Sequence, residues 1–438
     1  MTAELDVYVN NQLVGVLQEG AGGAVAFQYF QGVPADQFVS LTMPVRLQSY
    51  VWARGVHPFF QMNLPEGYQK DLLREKLGPH ADVTDLGLLA LTGYRTIGRV
   101  QIVPHGQPLQ AENQFNEMAE LLASPDSRGH LLRYLSEGVA EGVSGVMPKT
   151  LRLTHKATAS TERYILKTGP ANLPGLAINE YLCLEVARHA GLPVPQASLS
   201  EDGEVLAIRR FDRTEDGAAI GVEDFCALKG LHPVSKYKGS LEDLAKLLGI
   251  YVPGLQRAEN AKRLFKLLLV NYALRNADAH LKNFALTYTS MADVALAPVY
   301  DVVTVTAYPE YQDNLPGLTL AGKKTWQIGK LLQQFGAGRL SLTETDMDLC
   351  RREVTEAIHR MVPEVGKYAD KFDSFRETGK RMLDQWEAGV HDIQPDVRAP
   401  RAIAGEFRAS VGFSDAYPAK KKSNPYENPD GGFSYKAR

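Results

Sequence analysis

The chain has 438 residues, more than one hydrophobic core comfortably holds, and its 44% apolar and 23% charged residues predict a globular protein of two or three subdomains. Its 48 basic and 51 acidic residues give a net charge of -3, which argues against binding nucleic acid through bulk charge and leaves a local patch or a basic partner open. The three cysteines lie far apart with no C-x-x-C pair, which fits a reducing compartment and gives no zinc signature.

The sequence shows no targeting or membrane signal. Residues 1–7 lack the basic and apolar regions of a signal peptide. The longest strictly apolar runs, such as residues 267–270, are far too short to cross a bilayer. We therefore expect a cytoplasmic protein with no membrane partner.

The first predicted domain, residues 1–108, is rich in short strands. Two alternating segments, 5–9 and 13–17, flank Asn10 and Asn11 and predict a hairpin. Further extended segments are predicted at 41–47 and 93–103, and a helix at 68–77. No His or Cys cluster and no catalytic-looking acid pair occurs in this domain, so a scaffold or partner-binding module is favoured.

The second predicted domain, residues 109–240, mixes helices and strands. Its predicted elements are a helix at 114–136, a glycine-rich loop at 138–149, a strand at 164–167, a helix at 178–189 and a buried strand at 204–208. Gly191 is expected to cap the helix that precedes it. The segment 206–212 leads towards the helical part of the chain and is a natural hinge.

The third predicted domain, residues 241–397, is expected to be all-α. Residues 258–275 are apolar on nearly every face, which indicates a buried central helix, and residues 340–362 and 366–388 are amphipathic. The remaining residues, 398–438, mix Pro, Gly and Ser with a run of three lysines and predict a flexible tail.

The run that follows the predicted central helix carries the strongest chemical signal. Asp278 precedes Asn283 by five positions, the spacing of a phosphotransfer loop in which the Asp accepts the proton of an attacking hydroxyl and the Asn holds a metal. That spacing is common by itself. Its weight comes from Asp301, a second carboxylate at the end of a strand-like run, because a base and two metal ligands then lie close in sequence, as in a kinase.

The second domain supplies the other parts of such a site and is predicted to be a kinase N-lobe. The glycines of loop 142–149 lack a Cβ, so backbone N–H groups could approach phosphate oxygens. A P-loop is disfavoured because Pro148 stands where a Walker A motif needs a glycine before the lysine. The residues of the loop predicted to bind nucleotide are Gly142, Val143, Ser144, Gly145, Val146 and Lys149.

Lys167, at the end of an apolar strand, suits a contact to the α- and β-phosphates, although a surface lysine is an equal alternative. Glu180 is predicted to pair with this lysine, or else to complement the dipole of its helix. In the hinge, Arg210, Phe211 and Asp212 are predicted to contact the nucleotide, with Asp212 reaching a ribose hydroxyl.

Two further residues of the loop are candidates for the site. His280 has no second His at helical spacing, so zinc binding is improbable and we expect it to brace the loop by hydrogen bonding. Lys282 is predicted to neutralise a phosphoryl group or, alternatively, to face solvent. Ser-His-Asp hydrolase chemistry has no G-x-S-x-G motif to support it.

Taken together, the motifs resemble those of the HipA family, the serine/threonine kinase toxins of bacterial toxin–antitoxin operons. The matching segments are residues 143–149, 179–183, 210–213, 278–284 and 299–302, with 41–44 and 60–67 in the first domain. The similarity covers roughly residues 5–390, and its motifs are jointly specific.

The resemblance implies an α+β, two-lobed fold related to protein and phosphoinositide kinases, using ATP and Mg²⁺. Asp278 matches the family's catalytic base, Asn283 and Asp301 its metal ligands, and Lys167 its phosphate lysine. Known substrates are aminoacyl-tRNA synthetases, whose phosphorylation halts translation and arrests growth. The implied partner is a helix-turn-helix antitoxin that brings the complex to operator DNA.

The chain departs from the family at two positions. Gly142 occupies the place of a serine that some members autophosphorylate, whereas Ser144 matches a second serine of related kinases and is the candidate for that modification. Phosphate there would add negative charge where the phosphates of ATP must sit. Ala279 replaces a common glycine, a small change in volume.

Two other functions stay open. A small-molecule or lipid kinase shares this arrangement of lobes, because the catalytic loop does not encode the acceptor. A catalytically silent protein that binds an antitoxin–DNA complex belongs to a different class. The four residues Lys167, Asp278, Asn283 and Asp301 are all intact, which favours an active enzyme.

Overall fold

The computed structural model of the chain describes residues 4–53, 55–66, 73, 84–109, 117–140 and 157–395. The predicted nucleotide loop 142–149 and the predicted tail 398–438 lie outside these residues, as does the predicted helix 68–77 apart from Leu73. Within the described ranges, no helix is both long and apolar enough to span a bilayer.

An antiparallel sheet of five strands forms the N-terminal part. Its strands are β1 Glu4–Val9, β2 Gln12–Glu19, β3 Val25–Tyr29, β4 Tyr50–Trp52 and β5 Val100–Pro104, in the order β4-β3-β2-β1-β5. Asn10 and Asn11 both have positive φ, 48° and 64°, as the tight turn of a twisted hairpin requires, so the predicted hairpin is confirmed. Two helices, α1 Pro58–Gln61 and α2 Asp85–Thr92, contribute side chains to the core of this sheet.

The predicted strand pair at residues 93–103 is only half correct. Residues 93–95 form a short 3-10 turn, and only β5 is extended. Gly98, between them, has φ +96°, and its N–H donates to Asp212 in the hinge at 2.8 Å. This segment therefore turns to meet the hinge rather than continuing as a second strand.

The second sheet has four antiparallel strands, β6 Ala157–Ser160, β7 Tyr164–Thr168, β8 Ala197–Leu199 and β9 Val205–Arg209, in the order β6-β7-β9-β8. Three helices accompany it, α3 Met118–Ala123, α4 Ser127–Ala140 and α5 Leu176–His189. The predicted helix at 178–189 is thus confirmed, and it ends before Gly191, whose φ is +77°. Residues 114–136, predicted as one helix, are instead divided between α3 and α4 where they are described.

The C-terminal part is mainly helical. A four-residue helix, α6 Phe225–Leu228, is followed by α7 Leu241–Tyr251, α8 Gly254–Ala273, α9 Gly329–Leu340, α10 Glu344–Lys371 and α11 Asp373–Asp392. It also contains a hairpin, β11 Ala285–Ser290 and β12 Asp293–Leu296, which pairs with β10 Gly221–Asp224 and which the prediction of an all-α lobe did not include. The predicted buried helix corresponds to α8, and the buried apolar side chains of its C-terminal half lie in the main core.

The bounds predicted for the last two helices are wrong. The sequence placed a break between residues 362 and 366, but α10 continues through Pro363 to Lys371, and the chain turns only at Phe372. Apolar residues on both sides of the proline, including Val362, Val365 and Ala369, are buried. Their packing outweighs the helix bond that a proline removes.

The N-terminal sheet is anchored to the hairpin β11–β12 and to β10. The Arg99 guanidinium lies 4.2 Å from the centre of the Phe38 ring and donates to the carbonyl oxygens of Phe38 and Thr289. The buried carboxyl of Glu223 in β10 is bonded by the Ser40 hydroxyl at 2.8 Å and the Leu41 N–H at 3.0 Å. These contacts fix the first domain against the rest of the chain.

Glu223 makes this junction sensitive to pH. Burial raises the pKa of its carboxyl from 4.5 to about 8, although the bonds from Ser40 and Leu41 oppose that change. The folded protein therefore holds a proton that the unfolded chain loses above pH 4.5. The stability contributed by this group is complete below pH 4.5 and is lost as the pH rises through about 8.

We predict that Glu223→Gln flattens the pH dependence of stability. From Glu223 alone, the free energy of unfolding should fall by up to about 1.4 kcal/mol per pH unit between the two pKa values. Urea denaturation of the native protein and of Glu223→Gln from pH 5 to pH 8 measures this slope. Glu201→Gln, which replaces an exposed glutamate, is the matched control. Equal slopes in the native protein and Glu223→Gln would show that Glu223 is ionised throughout.

Candidate active site

The centre of the site is the Lys167 ammonium at the end of β7. It lies 2.5 Å from Glu180 Oε1 on α5 and 2.6 Å from Asp301 Oδ1. The Lys167 side chain is 10% exposed and that of Glu180 only 1%, whereas Asp301 is 36% exposed. One cation from the second sheet thus joins a buried carboxylate and one that reaches solvent.

Asp301 is held by its backbone as well as by the lysine. Its φ is +55°, a left-handed conformation that Asp adopts more readily than most residues. Its carbonyl oxygen accepts from the side-chain amides of Asn276 at 3.3 Å and Asn283 at 3.4 Å. Both asparagines flank Asp278, so the loop 276–283 and Asp301 form one bonded unit.

Asn179, next to Glu180, fixes the segment that follows Asp301. Its amide donates to the Thr304 carbonyl oxygen at 3.2 Å, and its oxygen accepts from the Thr304 N–H at 2.9 Å. Trp386 donates to the Thr304 hydroxyl at 2.7 Å. Consecutive residues of α5 therefore position the lysine and the irregular segment that carries Asp301.

Asp278 lies just beyond the end of α8, and its side chain is 39% exposed. Its backbone N–H donates to Asn276 Oδ1 at 3.2 Å, and its carbonyl oxygen accepts from Asn283 Nδ2 at 3.0 Å. The Tyr237 hydroxyl donates to Asp278 Oδ1. The loop therefore presents a carboxylate at the surface while its backbone is fixed from both sides.

His280 braces the loop differently from the prediction. Its Nε2 is 3.9 Å from Asp278 Oδ1, too far for a hydrogen bond, and no group in the described part of the chain bonds its Nδ1. Its ring instead packs edge-on against Tyr237, with 5.0 Å between ring centres. Burial, followed by the charge of Lys236, lowers the pKa of His280 well below its usual value, so the imidazole is neutral.

Lys282 turns towards the N-terminal domain. Its ammonium pairs with Glu66, and the backbone carbonyl of Lys282 accepts from the Tyr300 hydroxyl at 2.8 Å. Burial by itself lowers the pKa of Lys282, but Glu66 and Asp224 outweigh it and raise the pKa overall. The alternative that this lysine faces solvent does not hold, because its side chain is only 15% exposed. Its pairing with Glu66 gives no support to the predicted contact with a phosphoryl group, which stays a prediction.

Two of the predicted hinge residues, Arg210 and Asp212, are buried and bonded to other residues of the chain. The Asp212 carboxylate is 2% exposed and accepts from Arg210, Arg213 and the Gly98 N–H, so its predicted contact with a ribose hydroxyl is not supported. Arg210 is equally buried and also donates to the carbonyl oxygens of Thr161 and Thr96. These bonds join the second sheet to the N-terminal domain.

Phe211 differs from the other two hinge residues that were predicted to contact the nucleotide. It is only partly buried, and its ring stacks on Tyr300 with 5.5 Å between centres. The residues predicted in the nucleotide loop, from Gly142 to Lys149, lie outside the described residues.

Three residues of the site were missed by sequence reasoning about chemistry. Asn179 and Glu66 lie in segments 179–183 and 60–67, which carry the family resemblance. The resemblance therefore pointed to these positions, but it assigned no function to either residue. Tyr237 precedes Asp278 by 41 residues, and no spacing rule connects the two. Only the folded chain brings the hydroxyl to the carboxylate.

The Glu66–Lys282 pair should be energetically coupled. Because Lys282 is largely buried while Glu66 is half exposed, we predict a coupling of roughly 1 kcal/mol in a double-mutant cycle of Glu66→Gln and Lys282→Met. Urea denaturation of the four proteins measures it. Lys246→Met, at an exposed position of α7, is the matched control. Additive effects of the two substitutions would contradict the pairing.

Comparisons with known proteins bear on the family and the fold of this chain. A family model described as the HipA N-terminal domain matches residues 5–103, and one described as the HipA-like C-terminal domain matches residues 142–367. In Sinorhizobium fredii (strain NBRC 101917 / NGR234), “Putative kinase Y4dM” is 29% identical over 347 residues, covering 74% of this chain and 82% of that protein. “Putative kinase Y4mE” of the same strain is 27% identical over 377 residues, covering 78% and 83%.

A solved structure shares the fold. HipA of Shewanella oneidensis MR-1, in a complex with HipB and its operator DNA, superposes with a TM-score of 0.64 at 17% identity, covering 90% of this chain and 99% of that one. The predicted α+β fold, with a β-rich N-terminal part and a helical C-terminal part, is confirmed. With both family models matching in order along the sequence, this chain belongs to the HipA family.

Proposed function

We propose that this protein is a Mg²⁺- and ATP-dependent serine/threonine protein kinase and the toxin of a toxin–antitoxin pair. The observation that carries the proposal is the Lys167 ammonium between Glu180 and Asp301, with Asp278 bonded to the same unit. Protein kinases need this lysine–glutamate pair together with a metal-binding aspartate. The kinase names of the relatives support the same reaction.

The residues present suit a magnesium ion. Asn283 donates its amide nitrogen to the carbonyl oxygens of Asp278 and Asp301, which leaves its side-chain oxygen as the ligand atom. That oxygen and the Asp301 carboxylate are the hard donors that Mg²⁺ prefers. A bound ion would neutralise negative charge on the phosphates, and we assign Asn283 and Asp301 to hold it.

In the proposed reaction, the acceptor hydroxyl oxygen bonds to the γ-phosphorus while the bond from that phosphorus to the β-γ bridging oxygen breaks and ADP leaves. Asp278 takes the proton of the hydroxyl, and Lys167 holds the α- and β-phosphates. The buried Glu180 keeps the lysine in place through its charge. Loop 142–149, including Lys149, is proposed to cover the phosphates with backbone N–H groups.

A protein acceptor is favoured by the exposure of Asp278. With 39% of its side chain reachable by solvent, a hydroxyl on another protein's surface could approach it, whereas a small-molecule kinase usually encloses its acceptor. By analogy with the family, we propose a translation component such as an aminoacyl-tRNA synthetase as the acceptor. The complex of Shewanella HipA with HipB and operator DNA supports a helix-turn-helix antitoxin as partner, with DNA bound mainly through it.

We predict that Asp278→Asn removes phosphoryl transfer while leaving nucleotide affinity within about twofold, because a base acts on the acceptor hydroxyl and contributes about 10²–10⁴ in rate. The measurement is transfer of labelled phosphate from ATP in a host-cell lysate. Asp370→Asn, at an exposed position of α10, is the matched control.

The pattern of label separates the candidate functions. One discrete protein band that depends on Asp278 supports a protein kinase and identifies its target. ATP consumption without a labelled protein would indicate a small-molecule or lipid acceptor, and the absence of both would indicate a silent binding protein.

Unlike Asp278→Asn, the substitution Asp301→Asn is expected to weaken nucleotide binding. Losing a carboxylate ligand is expected to weaken the affinity for Mg²⁺-ATP by at least about tenfold, with little change in affinity for ATP in excess EDTA. Isothermal titration with and without Mg²⁺ measures both affinities. An unchanged affinity for Mg²⁺-ATP would exclude Asp301 as a metal ligand.

A further inference from the structure

The carboxylate of Asp278, the proposed base, accepts a hydrogen bond from a tyrosine. The Tyr237 hydroxyl donates to Asp278 Oδ1 from a segment between β10 and α7, far from the catalytic loop in sequence. Hydrogen bonds to an ionised acceptor are roughly twice as strong as neutral ones. This contact therefore acts on the proposed base itself.

The segment that carries Tyr237 is fixed against the catalytic loop. The carbonyl oxygen of Lys236 accepts from the Leu281 N–H at 3.1 Å. At Gly239 a Cβ atom would lie 2.8 Å from a methyl carbon of the Leu281 side chain, so that side chain packs directly on the glycine backbone of the segment. The Tyr237 ring also packs on His280. These contacts leave the hydroxyl little freedom to move away from Asp278.

A half-exposed carboxylate needs such a restraint. The two side-chain torsions of Asp allow its oxygens to exchange places, and 39% exposure leaves much of the Asp278 side chain without packing. A bond to Oδ1 fixes the plane of the carboxylate and so the direction of Oδ2. Catalytic groups must be held close to their productive geometry, because small misplacements cost large factors in rate.

We propose that Tyr237 is a positioning residue for the base: its hydroxyl holds Asp278 Oδ1 so that Oδ2 faces the acceptor hydroxyl. The inference rests on the proposed kinase function. During transfer the proton of the acceptor passes to Asp278 Oδ2, while Tyr237 keeps its own proton and is neither phosphorylated nor consumed. The Tyr237 hydroxyl could instead occupy the place of the acceptor hydroxyl on Asp278 and so block transfer. In that case, removing the hydroxyl would raise the rate rather than lower it.

The test is Tyr237→Phe, which removes only the hydroxyl and keeps the ring on His280. Initial rates of phosphate transfer from γ-labelled ATP to lysate protein, and of ATP hydrolysis with water as acceptor, are measured at saturating ATP. We expect both rates to fall about 10–100-fold, the value of a hydrogen bond to a charged group. The KM for ATP and the affinity for Mg²⁺-ADP should stay within about twofold, because the phosphate-binding residues are untouched.

Tyr50→Phe is the matched control, since its hydroxyl donates to the Pro44 carbonyl oxygen in the N-terminal domain, outside the site. Its rates should equal those of the native protein. A smaller fall for Tyr237→Phe would overturn the positioning role, and a rise would indicate that the hydroxyl blocks the base. A fall matched by an equal loss of ADP affinity would mean that Tyr237 supports only the fold of the loop.

Asp278→Asn in the same series separates this inference from the proposed function. If Asp278→Asn abolishes turnover while Tyr237→Phe does not slow it, the kinase proposal stands and the positioning role fails. If neither substitution changes any turnover of ATP, both fail.

Discussion

The site depends on the charge balance around the Lys167 ammonium. A cation that is 10% exposed lies between a carboxylate buried on α5 and one at the edge of solvent. Removing one partner of a buried pair leaves an uncompensated charge, which typically costs about 3–5 kcal/mol. The lysine therefore fixes Glu180 and Asp301 relative to each other, and the asparagines on both sides of Asp278 extend that constraint to the loop 276–283.

The N-terminal domain is structurally part of this arrangement. Glu66 pairs with Lys282 in the loop 276–283, while Thr96 and Gly98 bond to the hinge through Arg210 and Asp212. Arg99 joins the same domain to the hairpin β11–β12. The charged hinge residues that were predicted to contact the nucleotide thus join domains, and Phe211 is the predicted hinge residue whose side chain is only partly buried.

Sequence reasoning recovered the parts of the site that depend on local pattern. An apolar strand that ends in Lys167, a helix with Glu180 in its first turns and an Asp278 loop after a buried helix are all readable from periodicity and spacing. It failed where distant segments decide the outcome. Nothing near Asp212 indicates that Gly98 will satisfy it, and nothing near Tyr237 indicates Asp278.

Two errors of fold have the same origin. Pro363 is a helix breaker locally, yet the surrounding apolar residues are packed so well that α10 continues through it. The short hairpin β11–β12 lies between helices and was overlooked because its strands are completed by β10, from another part of the chain. Local propensity is a weak guide where tertiary packing opposes it.

Helix α5 belongs to two parts of the molecule at once. It carries Glu180, yet its apolar residues, such as Ile178, Leu182 and Val186, lie in the same core as the C-terminal helices. Its N-terminus is also tight, since a Cβ at Gly175 would lie 2.6 Å from Phe375. Rotating α5 to release Lys167 would expose that core at about 0.8 kcal/mol per CH₂ group. The amide hydrogens of α5 should therefore exchange with solvent as slowly as those of α8, and the lysine–glutamate pair should persist for as long as the protein stays folded.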